Sequence, residues 1–289
     1  MKVWISIGNY LKEMRIKSWL KNVFVFFPIV FSLELFNWNK FIEACVLMLA
    51  FCLISSAIYV LNDISDVEKD RMHEEKKKRP IAAGKISIPR AWILMICLMF
   101  AGFGMALWVN LSSFLLILVY VVMNILYSKW LKTKVLIDCF CIATGFVLRV
   151  FVGGTIVSSG VSNWMLLTVI ALSLFMAFGK RRGELHSYAG GKTRDVLGMY
   201  DMNFLDGIVF MCAGLCMVFY SLWSISQEAN LVYTVPIVLF IMIRYLYLVF
   251  AGRTEADPTT LILSDRTLWV SCGICGIVML VMLYGKQMF

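Results

Sequence analysis

Apolar runs about 20 residues long recur along the chain, separated by short polar segments in which charge collects. An α-helix rises 1.5 Å per residue, so ~20 apolar residues cross the ~30 Å hydrocarbon core of a bilayer. The pattern predicts nine spans, over residues 22–36, 41–61, 91–109, 111–127, 138–157, 162–179, 205–225, 231–250 and 267–284. Ahead of them, residues 1–21 interleave Lys2, Lys12, Arg15, Lys17 and Lys21 with Trp4, Ile5, Ile7, Leu11, Met14 and Trp19. That mixture reads as an amphipathic helix lying on the membrane surface, not as a cleavable signal. The expected fold is all-α, a single transmembrane domain over 1–289 with an interfacial helix at 1–21 and a nine-helix bundle at 22–284.

Composition agrees with a polytopic membrane protein. Of 289 residues, 61% are hydrophobic and only 16% charged, with a mean hydropathy of +0.83. Soluble domains are about half apolar and a quarter charged. Secreted, disordered and nucleic-acid-binding classes are therefore excluded, despite a net charge of +9. The nine cysteines lie inside or beside apolar runs, and Cys272-Gly-Ile-Cys275 has no neighbouring His or acid to complete a metal site. They read as packing residues.

Charge orients the bundle. If the N-terminus is cytoplasmic, the cytoplasmic segments hold 23 of the 27 basic residues and the opposite side only Lys40 and Lys286, with Arg149 and Arg244 inside spans. This is the asymmetry of the positive-inside rule. Thirteen of the 18 acidic residues fall in the same cytoplasmic segments, which the rule does not require. A polar site at the cytoplasmic mouth of the bundle accounts for them.

The sharpest motif, Asn62-Asp63-Ile-Ser-Asp66-Val-Glu68-Lys-Asp70, follows the second span. On a continuing helix Asn62, Asp66 and Asp70 share one face, with neighbours about 6 Å apart along the axis. Hard oxygen ligands without Cys or paired His suit Mg²⁺, which binds substrate phosphates, so the array predicts a diphosphate ligand. The plainer reading is a solvated acidic helix end. Lys76-Lys77-Lys78-Arg79-Pro80 comes next and serves either that phosphate site or the anionic membrane surface. Arg149, deep in a span, calls for a polar cavity and a partner, whereas Arg244 lies near its helix end and can snorkel. His73 and His186 read as solvated loop residues.

The string Asn62-Asp63-x-x-Asp66-x-x-x-Asp70, followed by Arg79-Pro80 and Gly84, resembles the first signature of the UbiA-type intramembrane prenyltransferase superfamily. Tyr127-Ser128-x-x-Leu131-Lys132 looks like that family's loop after the fourth helix. The aromatic prenyltransferases of that family place a second Asp-rich motif after the sixth helix, but this chain reads Lys180-Arg181-Arg182-Gly183-Glu184-Leu185 there. With Trp19-Leu20-Lys21-Asn22, Leu148-Arg149-x-x-x-Gly153-Gly154, Asp257-Pro258 and Asp265-Arg266, this resembles the decaprenyl-phosphate phosphoribosyltransferase branch.

The resemblance implies transfer of 5-phosphoribosyl from phosphoribosyl diphosphate to a polyprenyl phosphate, in a bacterial plasma membrane with the active site cytoplasmic. It implies Mg²⁺ on Asn62, Asp66 and Asp70, with Asp63, Asp66 and Asp70 as the catalytic carboxylates. Lys21, Asn22, Lys76, Arg79, Tyr127, Lys129, Lys132, Arg149, Lys180, Arg181 and Glu184 are the expected substrate-binding residues. Extra cations answer the anion load of two phosphorylated substrates. Prenyl transfer to an aromatic or glycerol-phosphate acceptor is the alternative within the family. An anionic-metabolite transporter is the rival from another class, but the five prolines are not placed as symmetric helix breaks.

Overall fold

The computed structural model describes residues 2–187, 195–227, 231–251, 261–262 and 264–288. Every regular element among them is helical, because a backbone in hydrocarbon must satisfy its own hydrogen bonds. Helix α1 covers Lys2–Glu13, followed by a 3-10 helix, Ile16–Phe26, and the short α2, Phe27–Phe31. The long helices are α3 (Trp38–Ser65), α5 (Ile88–Val109), α6 (Leu111–Lys129), α7 (Ile137–Gly154), α8 (Asn163–Ser187), α9 (Met202–Ser226), α10 (Val235–Phe250) and α11 (Arg266–Met288). The short α4 covers Val67–Arg71. Local chemistry sets several starts. Asn37 caps α3 by accepting from the Lys40 N–H, Asp201 caps α9 by accepting from Phe204, and prolines open α5 and α10.

Eight helices among the described residues are long and apolar enough to cross a membrane. The expected span at 22–36 is the exception. Pro28 has no N–H to give a preceding turn, so a new helix starts beside it, and the segment is built from the 3-10 stretch and α2. The N-terminal amphipathic helix likewise stops at Glu13, short of residue 21, since Arg15 turns left-handed at φ 51°.

The chain divides into two compact units: residues 1–30, 34–129 and 148–158 form the first, and residues 31–33, 130–147 and 159–289 the second. Within the first, Val25, Leu47, Phe51, Ile54, Ile117 and Val152 make a buried apolar core. Gly153 lets the chain pass close here: a Cβ on it would sit 2.0 Å from the Val25 carbonyl oxygen. Within the second, α8 packs on α9 around Phe175, Phe178, Leu205 and Val209, with Tyr245 and Leu248 from α10.

Candidate functional site

The acidic motif of the first unit sits where α3 gives way to α4. Asp66, at φ −99° and ψ 11°, interrupts the helix for one residue. The backbone ladder nevertheless runs on, from the Asp66 N–H to the Asn62 carbonyl at 2.9 Å and from the Asp70 N–H to Asp66 at 2.8 Å. Asn62, Asp66 and Asp70 thus stay linked at i, i+4 spacing. Ser128, at the end of α6, donates to Asn62 Oδ1 at 2.7 Å, which brings the Tyr127-Ser128 segment to the acidic motif.

Asp63 and Asp70 are both buried, and arginines account for their charge. Arg79 Nη1 donates to Asp63 Oδ1 at 2.9 Å and to Asp70 Oδ2 at 2.6 Å, tying the two carboxylates together. Its own backbone is extended, as the following Pro80 requires, and Gly84 closes the turn at φ +71°. Arg15 Nη2 grips the same Asp63 at 2.6 and 2.9 Å, and its guanidinium lies 4.6 Å over the Tyr59 ring. A left-handed non-glycine residue costs about 1–2 kcal/mol. A charge-assisted pair to a buried carboxylate offsets that cost.

Beside this cluster lies a cavity of about 320 Å³ lined by Lys12, Glu13, Arg15, Asp63, Glu75, Lys78, Arg79 and Pro80, with Lys78 facing Glu75 at 3.7 Å. Glu13 is 1% exposed, its carboxyl set against the Asp63 carboxylate and the Ile81 backbone. Burial, then the adjacent Asp63 carboxylate, push its pKa up to about 8.

Arg149 occupies the interior of the first unit. Its Nε donates to Asn22 Oδ1 at 2.7 Å and its Nη2 to the Tyr120 hydroxyl at 3.1 Å, while the Phe51 and Tyr120 rings lie 4.9 and 5.0 Å from the guanidinium carbon. Asn22 is fully buried and also donates towards Cys52 Sγ and Ser55 Oγ. The polar partner expected for an intramembrane arginine is therefore this amide and phenol.

In the second unit, the cationic stretch at the end of α8 is mostly inward. Arg181 is 1% exposed; its Nε donates to Asp138 Oδ2 at 2.7 Å and its Nη1 to Glu184. The Tyr200 hydroxyl donates to Asp138 Oδ1 at 3.0 Å and accepts from the Leu136 N–H at 2.7 Å. Burial raises the Tyr200 phenol pKa, which keeps it a neutral donor. Arg182 pairs with Asp206 at 2.5 Å and stacks on Phe250. Arg181 and Glu184 thus spend their charge on each other and on Asp138. Lys180 is half-buried beside them.

The structure places the remaining expected residues as follows. Lys21, Lys76 and Tyr127 are half-buried and Lys129 exposed in the first unit, while Lys132 is half-buried in the second. Arg244 pairs with Asp265 at 2.8 Å instead of snorkelling. His73 is exposed, its Nδ1 accepting from the Glu75 N–H. Asp257-Pro258 lies outside the described residues. Sequence reasoning gave no role to Glu13, Arg15, Ser128 or Tyr200. A separation of 48 positions between Arg15 and Asp63 leaves no local spacing to find that pair by.

Among the described residues no three His, Cys, Asp or Glu side chains gather to hold a metal. The oxygen-only set of Asn62, Asp66 and Asp70 nonetheless fits a hard cation. Mg²⁺ uses one or two carboxylates and completes its shell with water and substrate phosphate, so a full protein cage is not required.

Known proteins supply the frame for this geometry. Residues 23–271 match the model of the UbiA prenyltransferase family. The chain is 32% identical to a decaprenyl-phosphate phosphoribosyltransferase of Corynebacterium glutamicum, over 92% of this chain and 86% of that protein. It is 30% identical to the protein of the same name from Mycolicibacterium smegmatis, over 91% and 89%. In fold it is similar to a UbiA homologue from Archaeoglobus fulgidus solved with DMAPP and Mg²⁺, at a TM-score of 0.71, 17% identity and coverage of 96% and 98%. The chain belongs to the UbiA prenyltransferase family and is a membrane-embedded transferase.

Proposed function

We propose that this enzyme transfers 5-phosphoribosyl from phosphoribosyl diphosphate to a polyprenyl phosphate at the cytoplasmic side of a bacterial plasma membrane. The observation that supports it most is the cationic end of α8. Lys180, Arg181 and Arg182 stand where the resemblance to aromatic prenyltransferases calls for a second set of metal-binding carboxylates. The names of the corynebacterial and mycobacterial relatives point the same way.

Asn62 and Asp66, with Asp70 next, are the residues that hold Mg²⁺. When bound, that ion neutralises charge on the departing diphosphate. Lys21, Lys76 and Lys129 position phosphate groups, and Tyr127 orients them by hydrogen bonding. Lys132 and Lys180 are further proposed phosphate-binding residues. Arg181, buried against Asp138 and Glu184, is a positioning residue that fixes the end of α8. A lipid phosphate oxygen attacks ribose C1, the bond from C1 to the diphosphate oxygen breaks, and diphosphate leaves with the electron pair. The nucleophile is already anionic, so no general base is needed.

The test is incubation of purified protein with phosphoribosyl diphosphate, Mg²⁺ and a polyprenyl phosphate, with mass detection of the lipid product. Formation of polyprenyl-phosphoryl phosphoribose supports the reading. Prenyl transfer from a prenyl diphosphate in its place replaces it with the other family chemistry.

A further inference from the structure

Several helical hydroxyls of this protein return their hydrogen to their own helix. Ser65, Thr144, Thr168 and Ser221 each donate to the carbonyl four residues back. Ser128 does otherwise. At the end of α6 its Oγ donates to Asn62 Oδ1 at 2.7 Å, across 66 positions of sequence. A hydroxyl has one hydrogen to give, so this one is committed to the amide. Both residues are half-buried and both lie in the first unit. The far end of the same row is braced in a like manner, by Arg79 Nη1 on Asp70 Oδ2 at 2.6 Å. The two outer members of the i, i+4 row are thus each held by a side chain from another segment.

We propose that Ser128 is a positioning residue for the divalent cation, acting through Asn62. The inference rests on the assignment of Mg²⁺ to Asn62, Asp66 and Asp70 under the proposed function, and deepens it. An asparagine can turn its amide to present either oxygen or nitrogen, and only the oxygen binds a hard cation. A hydroxyl that donates to Oδ1 removes that freedom. The carbonyl oxygen has two lone pairs, so the bond from Ser128 leaves one for a metal. Partners of this kind orient the ligands they touch, and losing one typically costs ~10–100-fold in metal affinity. The same bond sets a register. Ser128 stands between Tyr127 and Lys129, the residues assigned to phosphate, so one hydroxyl ties the end of α6 to the metal-binding row.

The test is titration of detergent-purified full-length protein with Mn²⁺ as the probe, following the electron paramagnetic resonance signal of the free ion. Ser128→Ala should weaken Mn²⁺ binding by roughly tenfold or more, and Ser128→Thr, which keeps the hydroxyl, should restore it. Melting temperatures report whether each variant is folded. Asn62→Asp supplies the orientation test, because a carboxylate offers oxygen whichever way it turns. In that background Ser128→Ala should cause little further loss. A serine that merely supports the fold would weaken Mn²⁺ equally in both backgrounds and lower the melting temperature, and that result overturns the proposal. Unchanged or tighter Mn²⁺ binding by folded Ser128→Ala overturns it as well, the tighter case making the hydroxyl a competitor for the oxygen. Both results leave the metal assignment standing. A wild-type protein that binds no Mn²⁺ removes that assignment, and the proposal falls with it.

Discussion

Arg181 donates from Nε to Asp138 Oδ2 at 2.7 Å, with the two side chains 1% and 0% exposed. Tyr200 completes the carboxylate's other oxygen, so helices α7 and α8 and the segment before α9 meet on one buried charge. Such a pair contributes little net stability while intact, because desolvation opposes the attraction. Removing one partner strands the other, at about 3–5 kcal/mol.

Arg181→Ala should therefore lower the melting temperature markedly, and Asp138→Asn should do so too. Lys180→Ala should melt like wild type yet transfer phosphoribosyl at least tenfold more slowly, the scale expected when one partner of a desolvated charge pair of ~2–5 kcal/mol is lost. Lys192 and Arg194, outside the described residues, are the charge controls, and their alanine variants should be nearly silent. Equal behaviour of all four alanine variants reduces the stretch to a membrane anchor.

Asp66 lies at the helix break, whereas Asp70 is held by Arg79. Asp66→Ala should leave folding intact and reduce transfer to near background, with the same loss in excess chelator. Full activity in chelator removes the role given to Mg²⁺.

Arg149 is held by a neutral amide and a phenol within the first unit. Asn22→Leu leaves that guanidinium short of its best acceptor, and a buried charge deprived of a partner costs about 3–5 kcal/mol. Thermal unfolding of Asn22→Leu and Tyr120→Phe should rank them in that order of damage. The reverse order places the stronger bond on Tyr120.

Glu13 titrates near pH 8 when folded, against an ordinary 4.5. Between those values the folded state binds more protons than the unfolded one, so stability falls as pH rises and levels off above about 8. Glu13→Gln has no proton to lose. Its melting temperature should stay flat over that window while the wild type declines, and parallel curves would show that Glu13 is ordinary when folded.

The charge distribution predicts that residues 62–90 and 180–204 face the cytoplasm and 158–163 the other side. A cysteine at Ser159 should react with an impermeant reagent from outside intact cells. Labelling from the cytoplasmic side alone reverses the topology.

Hydropathy by itself determined the class of this protein, since runs of ~20 apolar residues admit few structures other than membrane-crossing helices. Eight of the nine spans are legible that way, because each is a local property of consecutive residues. The acidic motif was legible too, through its i, i+4 spacing on one strand of chain. What only tertiary structure decided is which charges are spent and which remain for chemistry. Arg181 looks like a phosphate ligand in sequence, but folding places Asp138, 43 residues earlier, against it. Asn22 belongs to a binding motif in sequence and to the Arg149 network in space, 127 residues away. Glu13 stood out in no pattern, because a carboxyl on an amphipathic helix is ordinary until burial beside Asp63 takes away its water. Local periodicity records which residues enter the membrane. Pairing energies depend on distance and burial, and those arise only when remote segments are packed together.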